Sequence, residues 1–191
     1  MTAEPLLTTV RFTVEDYERM SEVGILRPES RVELLDGEIV EMSPIGPPHS
    51  SVVNRVNRIL VRRVGEQALV VVQNPLRLVP SSEPEPDFVL ASERADFYGS
   101  AHPTASDVLL VIEVSDSSLR RDRLVKVPIY AREWIPEVWI VDIGGGRVHV
   151  HTDPADGEYR LIRTVHRGEE LRPTLLPSVA ITVEEILGEP A

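Results

Sequence analysis

The chain has 191 residues, a formal net charge of −11 and no cysteine, with an isoelectric point near 4.9. The missing cysteine excludes a disulfide framework, a thiol nucleophile and a cysteine metal site, and the acidic balance argues against coating nucleic acid by bulk electrostatics. It leaves a nuclease open, because a carboxylate site for a divalent metal is acidic by design. The length is that of a single domain over residues 1–191, able to bury roughly 70% of its extended surface. The opening MTAEPLLTTV lacks the basic-then-apolar layout of a signal peptide, and no apolar run reaches the length of a membrane span. A cytoplasmic protein is expected.

In chain order, residues 1–12 read as an extended arm. Thr13 offers an N-cap with Asp16 in the capping-box place. Val14, Tyr17, Met20 and Val23 then give helical spacing up to Gly24. In RVELLDGEIVEM, Asp36-Gly37 between two apolar runs predicts a type I′ hairpin, with Glu33 facing opposite to Val32 and Leu34. After SPIGPPHS, Ser50 or Ser51 can cap a helix running to about Val64, placing His49 just ahead of it. Two strands are expected around Asn74-Pro75, over 68–73 and 76–79. Asp87 opens an apolar strand over 88–90, and 92–106 read as a polar loop. RVHVHT and EYRLIRTV form a hairpin after Gly144-Gly145-Gly146. Residues 175–181 read as a last strand and 183–187 as a last helical turn.

The stretch from Asp107 to Asp142 organises the rest. An apolar strand over 108–114 carries one carboxylate, Glu113. A basic, helix-like segment follows, with Lys126 and Tyr130 one turn apart, and a second apolar strand covers 137–143. This is the pattern of a βαβ unit with parallel strands. A carboxylate inside a buried strand is costly unless it is paired, hydrogen-bonded or metal-bound. Asp87 and Glu113, at the ends of neighbouring strands, can converge on one divalent cation, and Mg²⁺ favours one or two protein carboxylates with water and phosphate oxygens around it. Two residues after Glu113 stands Ser115, which cannot replace a strand-borne lysine. Lys126, the only lysine in the chain, is the nearest candidate. Taken singly, each residue has a plainer reading: Asp87 as a turn former, Glu113 as a solvent-facing strand end, Lys126 as a solvated helix lysine. Glu33 reads equally as a solvated hairpin glutamate, His49 as a cap or surface group, and Tyr130 as core. His149 and His151 share a strand face and could pair on a metal, but no third ligand is evident and an exposed face is the better reading. Arg58, Arg62 and Arg63 read as a solvated helix face.

Together, Pro86-Asp87, IEVSDSS (112–118), K-x-x-x-Y (126–130) and IPEVWIVD (135–142) resemble the Uma-two family of restriction-endonuclease-like proteins, within the PD-(D/E)XK nuclease superfamily. VELLDGEIVEMSP and His49 extend the resemblance over roughly residues 10–187. It implies an α/β, restriction-endonuclease-like fold, a central mixed sheet flanked by helices behind an N-terminal helix and hairpin. It implies Asp87, Glu113 and the Val114 carbonyl as metal ligands for Mg²⁺ or Mn²⁺, and Lys126 as a lysine moved from strand to helix. Glu33 matches the acidic residue of the family's N-terminal segment, and His49 and Tyr130 match flanking positions. Where the family often has Ser-Pro, this chain has Ser115-Asp116, which adds negative charge at the site mouth. The function implied is a metal-dependent endonuclease acting on nucleic acid, DNA first. The exposed hairpins and the apolar C-terminal segment (Leu175, Leu176, Val179 and Ile181) are expected to pair subunits, and a homodimer or higher homo-oligomer suits cutting two strands. The alternatives are a nuclease fold without catalysis that serves as a nucleic-acid-binding or assembly module, and a hydrolase of small phosphate esters.

Overall fold

The computed structural model describes residues 9–27 and 29–189, so most of the expected N-terminal arm lies outside the described residues. The first helix, α1 (Val14–Glu22), carries the Thr13–Asp16 capping box. The hairpin of β1 (Val32–Leu35) and β2 (Glu38–Glu41) turns through Asp36 and Gly37, both at positive φ, which is the I′ geometry that Asp-Gly favours. The second helix, α2, spans Pro47–Val64. It starts earlier than the serines suggested, because Pro47 and Pro48 occupy its first two positions, where a missing N–H breaks no helical bond. His49 therefore sits inside the first turn and not ahead of it.

A six-stranded mixed sheet follows, in the order β3 (Leu69–Val72), β4 (Phe88–Ala91), β5 (Val108–Ser115), β6 (Glu137–Asp142), β7 (Arg147–Ala155) and β8 (Glu158–His166). Only the β5–β6 pair is parallel, as the crossover between them requires. That crossover runs from α3 (Leu119–Arg121) through a π turn (Asp122–Lys126) into α4 (Val127–Arg132). Pro128 falls in the first turn of α4, and the wide turn ahead of it closes with the Val127 N–H on the Asp122 carbonyl. Asp122 and Lys126 are its two buried residues. Two short strands, β9 (Glu170–Leu171) and β10 (Ile181–Thr182), and a final α5 (Val183–Leu187) complete the described chain.

Alternation along β5 decides where the chemistry points. Leu110, Ile112 and Val114 pack with α2 residues such as Val56 and Leu60 on one face. Val111 packs with Ile129, Tyr130 and Ile140 on the other. Glu113 has the parity of Val111, so its carboxylate is aimed at the crossover helix. Each fully buried aliphatic side chain here contributes about 1.5–3 kcal/mol of transfer free energy.

Several expectations need correction. Residues 76–79 are no strand: Leu76 and Leu78 are buried as alternation implies, but their N–H groups bond Pro84 and Ser82 carbonyls in loops and not a ladder. Residues 175–180 are closed turns, with Leu176 N–H on Pro173 and Val179 N–H on Leu176, and only 181–182 are extended. Leu176, Val179 and Ile181 are buried in the chain's own core and offer no apolar surface for a second subunit, whereas Leu175 of the same segment is exposed. The histidine pair is not exposed: His149 and His151 are 6% and 4% accessible, beneath the crossover helix, and burial lowers both pKa values, that of His151 to about 4. Arg63 is tied to Glu185 and the Ala180 carbonyl, not simply solvated.

The hairpin docks through Leu34, which exchanges backbone hydrogen bonds with Glu83. Glu83 is buried with Oε2 unpartnered. Burial first, and the charge of Glu18 next, push its carboxyl up to about 7. A raised carboxyl stabilises the fold below its unfolded value and loses that contribution as pH rises through 7. Glu83→Gln should accordingly gain about 2 kcal/mol at pH 8, a figure reduced for solvent screening, and nothing at pH 4. Urea midpoints at the two pH values check this.

Candidate active site

Asp87 is placed by the Pro84–Pro86 entry into β4, and three donors fix its carboxylate. The Val114 N–H donates to Oδ2 at 2.8 Å and His49 Nε2 to the same oxygen at 3.1 Å. Gln73 Nε2 donates to Oδ1 at 3.0 Å. Gln73 follows β3 with φ of 49°, and its N–H also bonds the Asp87 carbonyl. The hydrogen bond to Asp87 raises the His49 pKa above the usual imidazole value, although burial opposes this.

Glu113, 3% accessible, meets the crossover helix as its parity requires. Its Oε1 accepts from Tyr130 Oη at 2.6 Å and from Lys126 Nζ at 3.2 Å. No hydrogen bond falls on Oε2 among the described residues. Lys126, also 3% accessible, lies 2.9 Å from Glu33 Oε2. Glu33 is fully buried, accepts the Glu85 N–H at 3.2 Å, and leaves Oε1 without a partner. One ammonium thus stands between two buried carboxylates. Burial first, then the charges of Asp122 and Asp87, raise the Glu113 pKa, and Lys126 and the Tyr130 hydrogen bond only partly offset them. For Lys126 burial acts downward, but Glu113, Glu33 and Asp122 together outweigh it and hold the ammonium protonated. Burial and the charge of Glu113 hold the Tyr130 phenol neutral, as a donor.

Asp87, Glu113, Val114, Lys126 and His49 all line one cavity of about 230 Å³. Glu33 is not on its wall but behind Lys126. Asp116 is at the wall, as the Ser-Asp departure implied. The walls also carry residues that sequence reasoning missed: Arg31, Gln73, Glu85, Arg121 and Asp122. Asp122 is 2% accessible and accepts the hydroxyls of Ser115, at 2.7 Å, and Ser118, at 2.5 Å. Its place four residues before Lys126 was a readable signal, since that spacing shares a helical face. Gln73 and Glu85 lie in loops and gave none. The wall holds five carboxylates against three cationic side chains, a formal charge of −2 with His49 neutral. Glu33 adds one more negative charge just behind it.

Among the described residues no cluster of three or more His, Asp or Glu side chains is arranged to hold a metal. Two carboxylates and a backbone carbonyl make a smaller donor set, which Mg²⁺ accepts because it keeps several waters. The unengaged Oε2 of Glu113 and the excess negative charge fit a cation. His149 and His151 take no part in the cavity.

No helix among the described residues is long and apolar enough to cross a membrane. Among curated proteins, none matches the chain in sequence. The fold is shared with the crystal structure of "a putative nuclease belonging to DUF820" from Anabaena variabilis, at a TM-score of 0.71 and 12% identity. The alignment covers 92% of this chain and 97% of that one. The family model described as "Putative restriction endonuclease" matches residues 14–184, and on that span the chain belongs to the Uma2 (Uma-two) family.

Proposed function

We propose that the chain is a divalent-metal-dependent endonuclease that hydrolyses a phosphodiester bond of nucleic acid, DNA in the first instance. One observation carries the reading: Asp87 and Glu113 face one cavity with more negative charge than its cations offset, beside a buried ammonium. Asp87, Glu113 and the Val114 carbonyl would hold Mg²⁺ or Mn²⁺. A cation there supplies charge neutralisation at the phosphoryl group and an acidified water.

The chain's own groups divide the remaining work. Lys126 keeps its proton between Glu33 and Glu113, so it cannot accept one from water. It acts as a donor to charge that develops on a phosphoryl oxygen. Glu33 holds Lys126 in place from behind, and Tyr130 fixes the rotamer of Glu113 through Oε1. His49 and Gln73 orient Asp87 from opposite oxygens. A homodimer or higher homo-oligomer would present two such sites to the two strands of a duplex.

Titration calorimetry tests the metal. Mn²⁺ should bind the wild-type protein and fail to bind Glu113→Gln. A wild type that takes up neither Mg²⁺ nor Mn²⁺, alone or with a short DNA duplex, sinks the hydrolytic reading and leaves the nucleic-acid-binding module.

A further inference from the structure

The cavity that holds Asp87 and Glu113 shares part of its wall with a second depression, and Arg121 lines both. This arginine ends α3, just ahead of the π turn. One arm of its guanidinium is tied down, with Nη1 donating to the Glu41 carbonyl of β2 at 2.9 Å. The opposite edge has no partner among the described residues. Nε is buried and has no hydrogen-bond partner, and Nη2 beside it makes no hydrogen bond or ion pair among the described residues.

A buried cationic N–H without a partner is costly, on the order of a full desolvation penalty. Nε and Nη2 together form the side-on fork that pairs with two oxygens of a phosphate. None of the cavity's carboxylates takes that fork. Its tether to β2 holds it still, so it loses little side-chain freedom when a ligand arrives. The second depression also carries Arg120 and the exposed side chains of Leu124 and Val125. That surface fits the sugar and base of a strand leaving the cavity.

We propose that Arg121 binds a phosphate of the nucleic-acid strand, the one flanking the scissile phosphate, bidentately through Nε and Nη2. The strand then runs past Leu124 and Val125. This rests on reading the cavity as the hydrolytic site. Lys126 and the carboxylates lie inside that cavity, whereas Arg121 stands on the wall common to both depressions, so it sets affinity and register and not the chemical step.

The test is binding of a short fluorescein-labelled DNA duplex, in Ca²⁺ to hold back cleavage, by anisotropy over a salt series. Wild type, Arg121→Gln and Arg121→Lys are compared, with Mn²⁺ affinity and thermal midpoint measured beside them. Arg121→Gln should weaken binding about tenfold or more and reduce the salt slope by about 1. Arg121→Lys should keep the slope and still lose affinity, since an ammonium carries charge without the fork. In steady-state cleavage Arg121→Gln should raise KM and leave kcat little changed. Mn²⁺ affinity should be the same in all three. An unchanged slope in Arg121→Gln, a loss confined to kcat, or a wild type that binds Mn²⁺ but no duplex overturns the proposal. If Arg121→Gln fails to fold, Arg121→Lys decides, and wild-type affinity in it overturns the proposal. Failure of wild-type Mn²⁺ binding counts against the hydrolytic reading alone, because the phosphate contact is read from the slope.

Discussion

Glu113→Gln should lower metal-dependent cleavage of plasmid DNA by on the order of 10³-fold or more, with the fold intact. The magnitude follows from the cation's share of transition-state stabilisation, several kcal/mol, at 1.36 kcal/mol per factor of ten. The substitution is nearly isosteric. Its amide oxygen can still accept from Tyr130 Oη and Lys126 Nζ, which now meet on Oε1. What disappears is the charge at Oε2, the oxygen that faces no donor. Stability should not suffer, because burial disfavours the Glu113 charge and Lys126 keeps Glu33 as its partner. The sign with pH follows from the raised carboxyl: below its pKa Glu113 holds a proton that a metal must displace, so wild-type metal affinity should climb as pH rises through that value. Nicking of supercoiled plasmid in Mg²⁺ and in Mn²⁺, with a thermal melt of each protein, checks both halves. Cleavage by Glu113→Gln within tenfold of wild type would remove Glu113 from the chemistry.

The sheet and the crossover were legible because their signals are periodic. Glu113 breaks an apolar run of β5, and the parity that puts it on the same face as Val111 follows from the strand itself. The Asp-Gly hairpin and the Thr13 capping box are local codes, and the structure carries both. What stayed hidden depends on long-range packing. Leu76 and Leu78 alternate like strand residues, yet their backbone partners come from loops at Pro84 and Ser82. His149 and His151 read as an exposed face for want of a third ligand, and what buries that face, Tyr159 of β8 against His151 together with the crossover helix, is not written in their own strand. Glu33 read equally as a solvated hairpin residue and as the family's acidic position, because nothing in its own segment announces that Lys126, ninety-three positions on, fills the space beside it. Nothing in the crossover segment announces the π turn ahead of Pro128, which turns Asp122 and Lys126 inward together.

Lys126→Met should be the most destabilising change near the site, by about 3–5 kcal/mol at pH 8, because it leaves two buried carboxylates without their shared cation. Glu33 and Glu113 are almost wholly inaccessible, so water cannot replace the ammonium. Glu113, whose pKa burial already raises, would then lose the ammonium that holds it down and take up a proton more readily still. A raised carboxyl stabilises the fold below its unfolded pKa and loses that contribution as pH rises, so the deficit of Lys126→Met should shrink toward pH 5 and grow toward pH 9. Urea unfolding across that range reads it directly. Cleavage should fall as well, but a destabilised protein makes that loss ambiguous. The double variant Lys126→Met/Glu33→Gln separates the two effects. It removes one carboxylate with the ammonium and leaves Glu113 the Tyr130 hydrogen bond, so most of the stability should return. If Lys126 donates to the phosphoryl group, cleavage should stay down in the double variant. A double variant that regains both stability and wild-type cleavage would make Lys126 a structural counter-ion to Glu33 and nothing more. One that regains stability alone places its ammonium in the reaction.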